Sequence, residues 1–513
     1  MGQYNPMVIT FAIYLCVVLL VGIAAYFATK NFDDFVLGGR RLGSFVTAMS
    51  AGASDMSGWL LMGVPGAVYS KGLGQSWIAM GVLWGAYANW RLVAARLRLH
   101  TKKFDNALTI PDFFRRRFGS EKATLSIASA VIILFFFTIY CASGIVAGAK
   151  LFQNLFHLTY VQAMWLSTFA TIVYTFLGGF LAVSWSDSIQ ASLMFFALIL
   201  TPVMVVLHLG DFSQVSLAIA AASAKAGTNL SSLVDGVPLV VIASGMAWGL
   251  GYFGQPHILA RFMASESVKT VERSRRIGMT WMLLCLTGAV AVGYLGIAYF
   301  GIHPEQEGMM ENKKEDVFIV LSMLLYNPWL AGVIISAIFA AIMSTLSCQL
   351  LVSSSAITQD FYKGFLRPNA PSSELVWVGR IMVLCVAVIA ILIASNPNSS
   401  ILDLVEYAWG GFGAAFGPLV LLSVYWKRAN YSGALAGMVT GALTSALWKP
   451  VTGSDLYEIL PGFILGFVAC VAVSLLTSPP KREIVERFEE ADAEFRQEMA
   501  AYKNKGAKAP AAK

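Results

Sequence analysis

Charge is what this sequence has least of. Only 13% of its 513 residues are Asp, Glu, Lys or Arg, against 57% hydrophobic, where a soluble globular chain carries about 25% charge. The deficit excludes a cytosolic enzyme of ordinary composition and excludes disorder. Together with a mean hydropathy of +0.67 it points to an all-α polytopic membrane protein. Cysteine is scarce as well. Cys16, Cys141, Cys285, Cys348, Cys385 and Cys470 stand singly in apolar segments without a CxxC. They read as small buried hydrophobes and suggest neither a disulfide framework nor a zinc site. His100, His157, His208, His257 and His303 have no paired spacing, so a membrane-embedded metalloenzyme is not supported and no enzyme is expected. No basic n-region precedes the first apolar run, from about Met7 to Phe27, which is therefore kept as a spanning helix. Pro6 stands where an N-myristoylation motif needs Ser or Thr. The net charge of +7 is spread over short loops, not gathered into the patch a nucleic-acid binder carries.

What is present is a succession of apolar runs. A bilayer core of about 30 Å takes roughly 20 helical residues. About thirteen runs are long enough: 5–27, 44–69, 72–95, 124–149, 160–183, 188–208, 235–257, 275–300, 317–357, 375–395, 402–426, 431–449 and 458–477. The run 317–357 is long for one helix and is read as a tilted helix with a cytoplasmic extension. Basic residues alternate between connections. Nine lie in 91–123, five in 258–276, and Lys30, Arg40, Arg41, Lys427 and Arg428 in two others, whereas 301–316 is acidic. The basic connections are cytoplasmic by the positive-inside rule. The N-terminus is then outside and the C-terminus inside, as an odd number of spans requires. Residues 1–480 form one transporter domain. Residues 481–513 form a charged tail, read as a solvated cytoplasmic helix with a frayed Lys503–Lys513 end; binding of lipid headgroups by its lysines is the lesser reading.

Two spans are interrupted. The second contains Ser50-Ala51-Gly52-Ala53-Ser54-Asp55-Met56-Ser57-Gly58-Trp59, and the seventh runs from Ser244 through Gly245, Gly249, Gly251 and Gly254 to Pro256. Small residues favour close helix packing, but Gly and Pro also permit local unwinding. Unwound backbone at membrane depth needs a cavity or protein around it. The two interruptions are five spans apart, so as equivalent copies they have opposite orientation. Paired interrupted helices mark secondary transporters with inverted repeats, here spans 2–6 (about 44–209) and 7–11 (about 235–426), with span 1 and spans 12–13 peripheral. No sequence identity joins the halves. This reading rests on hydropathy, spacing and breakage.

Asp55 lies near mid-span, where an ionised carboxylate costs at least about 2.5–3.5 kcal/mol. No Lys or Arg is expected at that depth, so Na+ or a proton is its natural partner. Na+ wants several oxygens, and freed carbonyls and hydroxyls such as Ser57 supply them. The ninth span adds Ser336, Ser344, Thr345 and Ser347, with Ala341 one turn before Thr345; a lone helical hydroxyl usually bonds back to its own turn. Tyr140, Trp248 and Tyr252 sit within spans and not in the interface belts, suited either to core packing or to walling the apolar part of a small substrate. Asp187 falls at the span 5–6 junction as an interfacial cap or gate contact.

Gly52-Ala53-Ser54-Asp55-Met56-Ser57-Gly58-Trp59, Phe35-Val36-Leu37-Gly38-Gly39-Arg40 and Met343-Ser344-Thr345-Leu346-Ser347 resemble the sodium:solute symporter family at their own places in its pattern, over nearly the whole chain to about residue 480. The resemblance implies the leucine-transporter fold, with 5+5 inverted repeats and alternating access. It implies Na+ among the carbonyls of Ala53, Met56 and Ala341 and the hydroxyls of Ser344 and Thr345, with Asp55 essential near the ion. It implicates Tyr140, Trp248, Tyr252 and Pro256 in holding substrate, with Ser57, Gly58 and Trp59 of the unwound stretch beside them. It implies Na+-coupled uptake of L-proline in a bacterial inner membrane; family members with similar ion motifs carry another amino acid, pantothenate or a sugar, and coupling to H+ is the further alternative. No GxxxxGK[ST] motif occurs, which agrees with ion-driven transport. Membrane lipid is the surrounding partner, with no nucleic acid and no obligate protein partner evident. A sensor feeding a kinase would need a larger domain than the tail beyond Pro480.

Overall fold

In lipid the backbone has no water to bond, so apolar segments close their hydrogen bonds within themselves. The computed structural model describes residues 6–119, 123–310 and 313–507, whose regular secondary structure is all helical apart from one isolated bridge between Leu42 and Ser265. Among these residues eight helices are long and apolar enough to cross a membrane: Pro6–Ala28, Thr124–Phe156, Gly179–Leu209, Val268–Ile302, Pro328–Gly364, Ser372–Ile393, Ile401–Tyr425 and Ile459–Leu476. They divide by burial. Pro328–Gly364 and Ile401–Tyr425 are 89% buried, whereas Pro6–Ala28 is 22% and Ile459–Leu476 28%. The former pair is the interior of the bundle and the latter its rim.

The other expected spans are broken, kinked or less apolar. The second is Ser44–Asp55 followed, after a break at Met56–Gly58, by a wide turn at Trp59–Gly63 and Val64–Lys71. The seventh is Leu239–Ala247, a tight 3-10 stretch Trp248–Gly254, and Pro256–Ala264. Spans five and six form one run, Tyr160–Leu209, kinked at Gly179 (φ 58°, ψ −161°). The boundary thus falls upstream of the expected 184–187, where glycine tolerates the left-handed φ and a Cβ would meet the Phe35 ring at 2.7 Å.

The expectation for 317–357 is corrected. Val317–Leu325 ends at an extended Tyr326, and Asn327 caps a new helix, Pro328–Ala356, accepting from the amides of Trp329 and Leu330 at 3.1 Å. Asn at the cap with Pro at the first helical position is a strong start signal, and the residue before Pro avoids helical angles. The chain then continues through wide turns at Ile357–Leu366. Two cysteines are also corrected: Cys16 and Cys385 are exposed on the outside of the bundle, while the other four are buried and all six are free.

The tail is not a freely solvated helix. Arg482–Ala507 lies against the Ala95–Lys103 helix with Phe488 and Ala491 buried. Arg96 pairs with Asp492 and stacks 4.4 Å from the Phe495 ring centroid, and Lys103 pairs with Glu494 at 3.1 Å. An amphipathic helix with Ile484, Phe488, Ala491 and Phe495 at helical spacing has an apolar stripe to bury. The last lysines, Lys508 and Lys513, lie outside the described residues.

Candidate functional site

The Ser44–Asp55 helix ends because Met56 leaves helical angles (φ −85°, ψ 87°) after its amide has bonded Gly52. Ser57 then donates its amide to the Asp55 carbonyl at 3.1 Å and accepts from the Trp59 amide at 3.3 Å, and the Trp59 indole donates to the same Asp55 carbonyl at 3.0 Å. Gly58 permits the close approach of two other helices, since a Cβ there would lie 2.9 Å from Ala147 and 3.3 Å from Ile342.

That approach brings in Pro328–Ala356. Ser344 Oγ donates to the Ala53 carbonyl at 2.8 Å and to the Ala341 carbonyl at 3.0 Å, and Thr345 Oγ1 donates to the Ala53 carbonyl at 3.2 Å. Four of the five expected oxygen donors therefore converge from two helices. Met56 is fully buried on the next residues of the break. Ser336 and Ser347 bond back to Gly332 and Ser344 in their own helix and do not join the group. The donor set is all oxygen and neutral, which is what a hard monovalent cation accepts, and rotating the hydroxyl protons away presents lone pairs.

Asp55 does not point into this cluster. Its Oδ2 accepts from the Tyr252 hydroxyl, and its Oδ1 is buried without a partner. The carboxylate thus joins the two broken segments. Tyr252 belongs to the 3-10 stretch, where the tighter pitch leaves backbone carbonyls facing neighbours. Asn89 donates to the Tyr252 carbonyl at 2.8 Å, Trp409 Nε1 to the Trp248 carbonyl at 2.8 Å, and Gln255 Nε2 to the Trp409 carbonyl at 3.2 Å.

The aromatics gather here. Trp248 lies 6.0 Å from Trp59 and 6.3 Å from Trp409, and Tyr252 lies 5.0 Å edge-on to Trp409. Tyr140 is buried, its hydroxyl beside Ser57 and Trp59 and its ring 6.1 Å from His257. Pro256 sits apart from this wall. It starts the next helix and lines a cavity with Ala260, Met263, Ile133, Leu351 and Ser355, on the side of the expected cytoplasmic connections. Sequence reasoning missed Trp409, Asn89 and Gln255. Trp409 carried a signal, a mid-span Trp followed by Gly410-Gly411.

The expectation for Asp187 fails. It is fully enclosed, not interfacial, and it faces a buried cation, Arg261, at 3.5 Å. Ser50 donates to Asp187 at 2.6 Å, and Arg261 also reaches Ser50 at 3.1 Å, the His257 carbonyl at 3.1 Å and Cys348 Sγ at 2.5 Å. Asp187 lies at the predicted junction of spans five and six, and Arg261 in a predicted connection. Four packed segments meet over them, so that neither position means contact with water.

The profile of the sodium:solute symporter family matches residues 35–441. The sodium/proline symporter of Salmonella typhimurium is 58% identical over 495 residues, covering 96% of this chain and 98% of that protein. The sodium/proline symporter of Escherichia coli matches with the same identity and coverage. A high-affinity proline transporter of Bacillus subtilis is 48% identical over 471 residues, 92% of this chain and 98% of its own length. Among solved structures, a Na+-coupled sialic acid symporter in a substrate-bound outward-open state superposes with a TM-score of 0.78 at 21% identity, covering 94% of this chain and 99% of that one. At that identity the likeness is one of fold.

Proposed function

The chain belongs to the sodium:solute symporter family, and from that membership we infer a multi-pass plasma-membrane protein that couples Na+ entry to the uptake of L-proline. Near-full-length identity to sodium/proline symporters carries this reading. Substrate and coupling ion are carried across unchanged; no reaction is catalysed on them.

In this reading thirteen spans run from an outside N-terminus to a cytoplasmic C-terminus. Two inverted repeats, about 44–209 and 235–426, form a single transporter domain over residues 1–480, and the tail is separate. Na+ enters among the carbonyls of Ala53, Ala341 and Met56 and the hydroxyls of Ser344 and Thr345. The convergence of four of these oxygens across the break supports it. Asp55 supplies negative charge beside the ion and holds Tyr252. Tyr140, Trp248, Tyr252 and Trp59 wall the pyrrolidine ring, Ser57 and Gly58 offer polar contacts, and Pro256 stands on the inward path. Na+ binding joins the second and ninth spans and favours the outward-open state; substrate then closes the outer side, and the repeats rock inward. Each Na+ moving down about 100 mV releases roughly 2.3 kcal/mol, enough for about fifty-fold accumulation.

Uptake of labelled proline into proteoliposomes tests the coupling. An imposed inward Na+ gradient is expected to drive uptake well above that in Na+-free buffer, and equal uptake in the two would end the claim. Competition by pantothenate, sugars and other amino acids is expected to be weak.

A further inference from the structure

The two helices after the second repeat, Tyr431–Thr452 and Ile459–Leu476, read from sequence as peripheral. The loop between them is not. Tyr457 is 1% exposed, and its ring lies 5.5 Å from that of Trp248. Its amide donates to Ser244 Oγ at 3.0 Å, in the outer piece of the broken seventh span. Its hydroxyl donates to the Glu406 carbonyl at 2.7 Å, near the outer end of Ile401–Tyr425. Gly410 leaves the slot for the ring: a Cβ there would lie 3.0 Å from Tyr457 Cε2. One residue, through its ring, hydroxyl and amide, thus covers the Trp248 wall and ties the seventh span to the eleventh.

We propose that Tyr457 is a positioning residue of the transport cycle, a latch that holds the outer face of the substrate site closed by bridging Ser244 and Glu406 across Trp248. The inference rests on the transport reading above. The geometry gives it a necessary consequence. Any movement that parts the outer piece of the seventh span from the eleventh must break the bond to Ser244, the bond to Glu406 or the contact with Trp248. These contacts stabilise the closed arrangement and are absent once it opens, so they bias the equilibrium by their own free energy.

Tyr457→Phe keeps the ring on Trp248 and removes only the hydroxyl bond. One hydrogen bond of ordinary net strength corresponds to about a two- to tenfold shift toward the open state. Purified parent and variant are reconstituted and loaded with labelled proline at saturating Na+, and release into excess unlabelled proline is followed alongside Na+-driven turnover and thermal stability. Release is expected to quicken by about two- to tenfold and turnover to fall, with the melting temperature nearly unchanged. A lowered melting temperature with parental release and turnover would mean a merely structural contact and would overturn the proposal, as would a variant identical to the parent in all three. Should Tyr457→Phe not reach the membrane, Ser244→Ala removes the other tie and is held to the same outcomes. A parent that shows no Na+-driven uptake would instead defeat the transport reading itself.

Discussion

The Ala53 carbonyl accepts from both Ser344 and Thr345, so each hydroxyl is one oxygen in a small set. Thr345→Ala and Ser344→Ala are each expected to raise the Na+ concentration for half-maximal proline uptake by about tenfold, taking one hydrogen-bonding group as worth about 1–1.5 kcal/mol. Unchanged Na+ activation in both variants would remove the ion from this cluster. Tyr252→Phe addresses a different defect. It leaves Asp55, whose Oδ1 is already without a partner, with neither carboxylate oxygen bonded. An unsatisfied buried group costs about 1–3 kcal/mol and more when charged, so kcat/KM for proline is expected to fall by at least about fivefold; a variant with parental kinetics would show that the tie between the broken segments is dispensable. Asp55 stood out because a mid-span carboxylate is costly, whereas buried hydroxyls are common in these helices, so Ser344 and Thr345 were singled out by the family resemblance and not by their chemistry alone. Arg261 was not legible. Its place in the sequence is a basic connection, and only the packing of distant segments encloses it with Asp187.

At the scale of the helix, breaks were legible where Gly and Pro cluster and hidden where a single residue decides. The interruptions near Asp55 and between Trp248 and Pro256 stand in the structure as the sequence suggested. The stop at Tyr326-Asn327-Pro328 also carried a written signal, but uninterrupted hydropathy across 317–357 masks it. The 3-10 stretch depends on its neighbour, Trp77–Asn89. Gly85 and Gly249 face each other, and a Cβ on either would overlap the opposing backbone. Close approach of small residues is what packs helices where no hydrophobic driving force acts between them. Gly85→Ala is therefore expected to destabilise by about 1–3 kcal/mol, as overpacking does, seen as a lower melting temperature in detergent. Because Asn89 on the same helix holds the Tyr252 carbonyl, proline affinity should weaken along with it. Loss of stability with wild-type affinity would show that this helix braces the bundle without shaping the site.

For the whole molecule, the scarcity of charge gave the membrane class, but the distribution of bases does not say how the basic loops are covered. The tail covers them. Arg487 reaches Asp105 at 2.9 Å, Lys427 meets Glu489 at 2.7 Å, and Phe488 packs on His100 at 5.0 Å and under the Arg117 guanidinium at 4.8 Å. Arg117 is fully buried and bonds the Ser423 and Trp426 carbonyls at 2.8 and 3.0 Å, so the tail helps to enclose a cation that is tied to the end of the eleventh span. The exposed ion pairs are each worth about 0–1 kcal/mol and are screened by salt. Phe488 buries an aromatic ring, and its loss costs about 3 kcal/mol or more. The two contributions separate cleanly. Phe488→Ala is expected to lower the melting temperature by several degrees at any salt concentration, whereas raising salt on the parent should lower it only slightly. Neither should move the Na+ or proline affinity, because no tail residue touches the broken segments among the described contacts. A large salt effect with little response to Phe488→Ala would mean that the tail is held by charge and released by ionic strength.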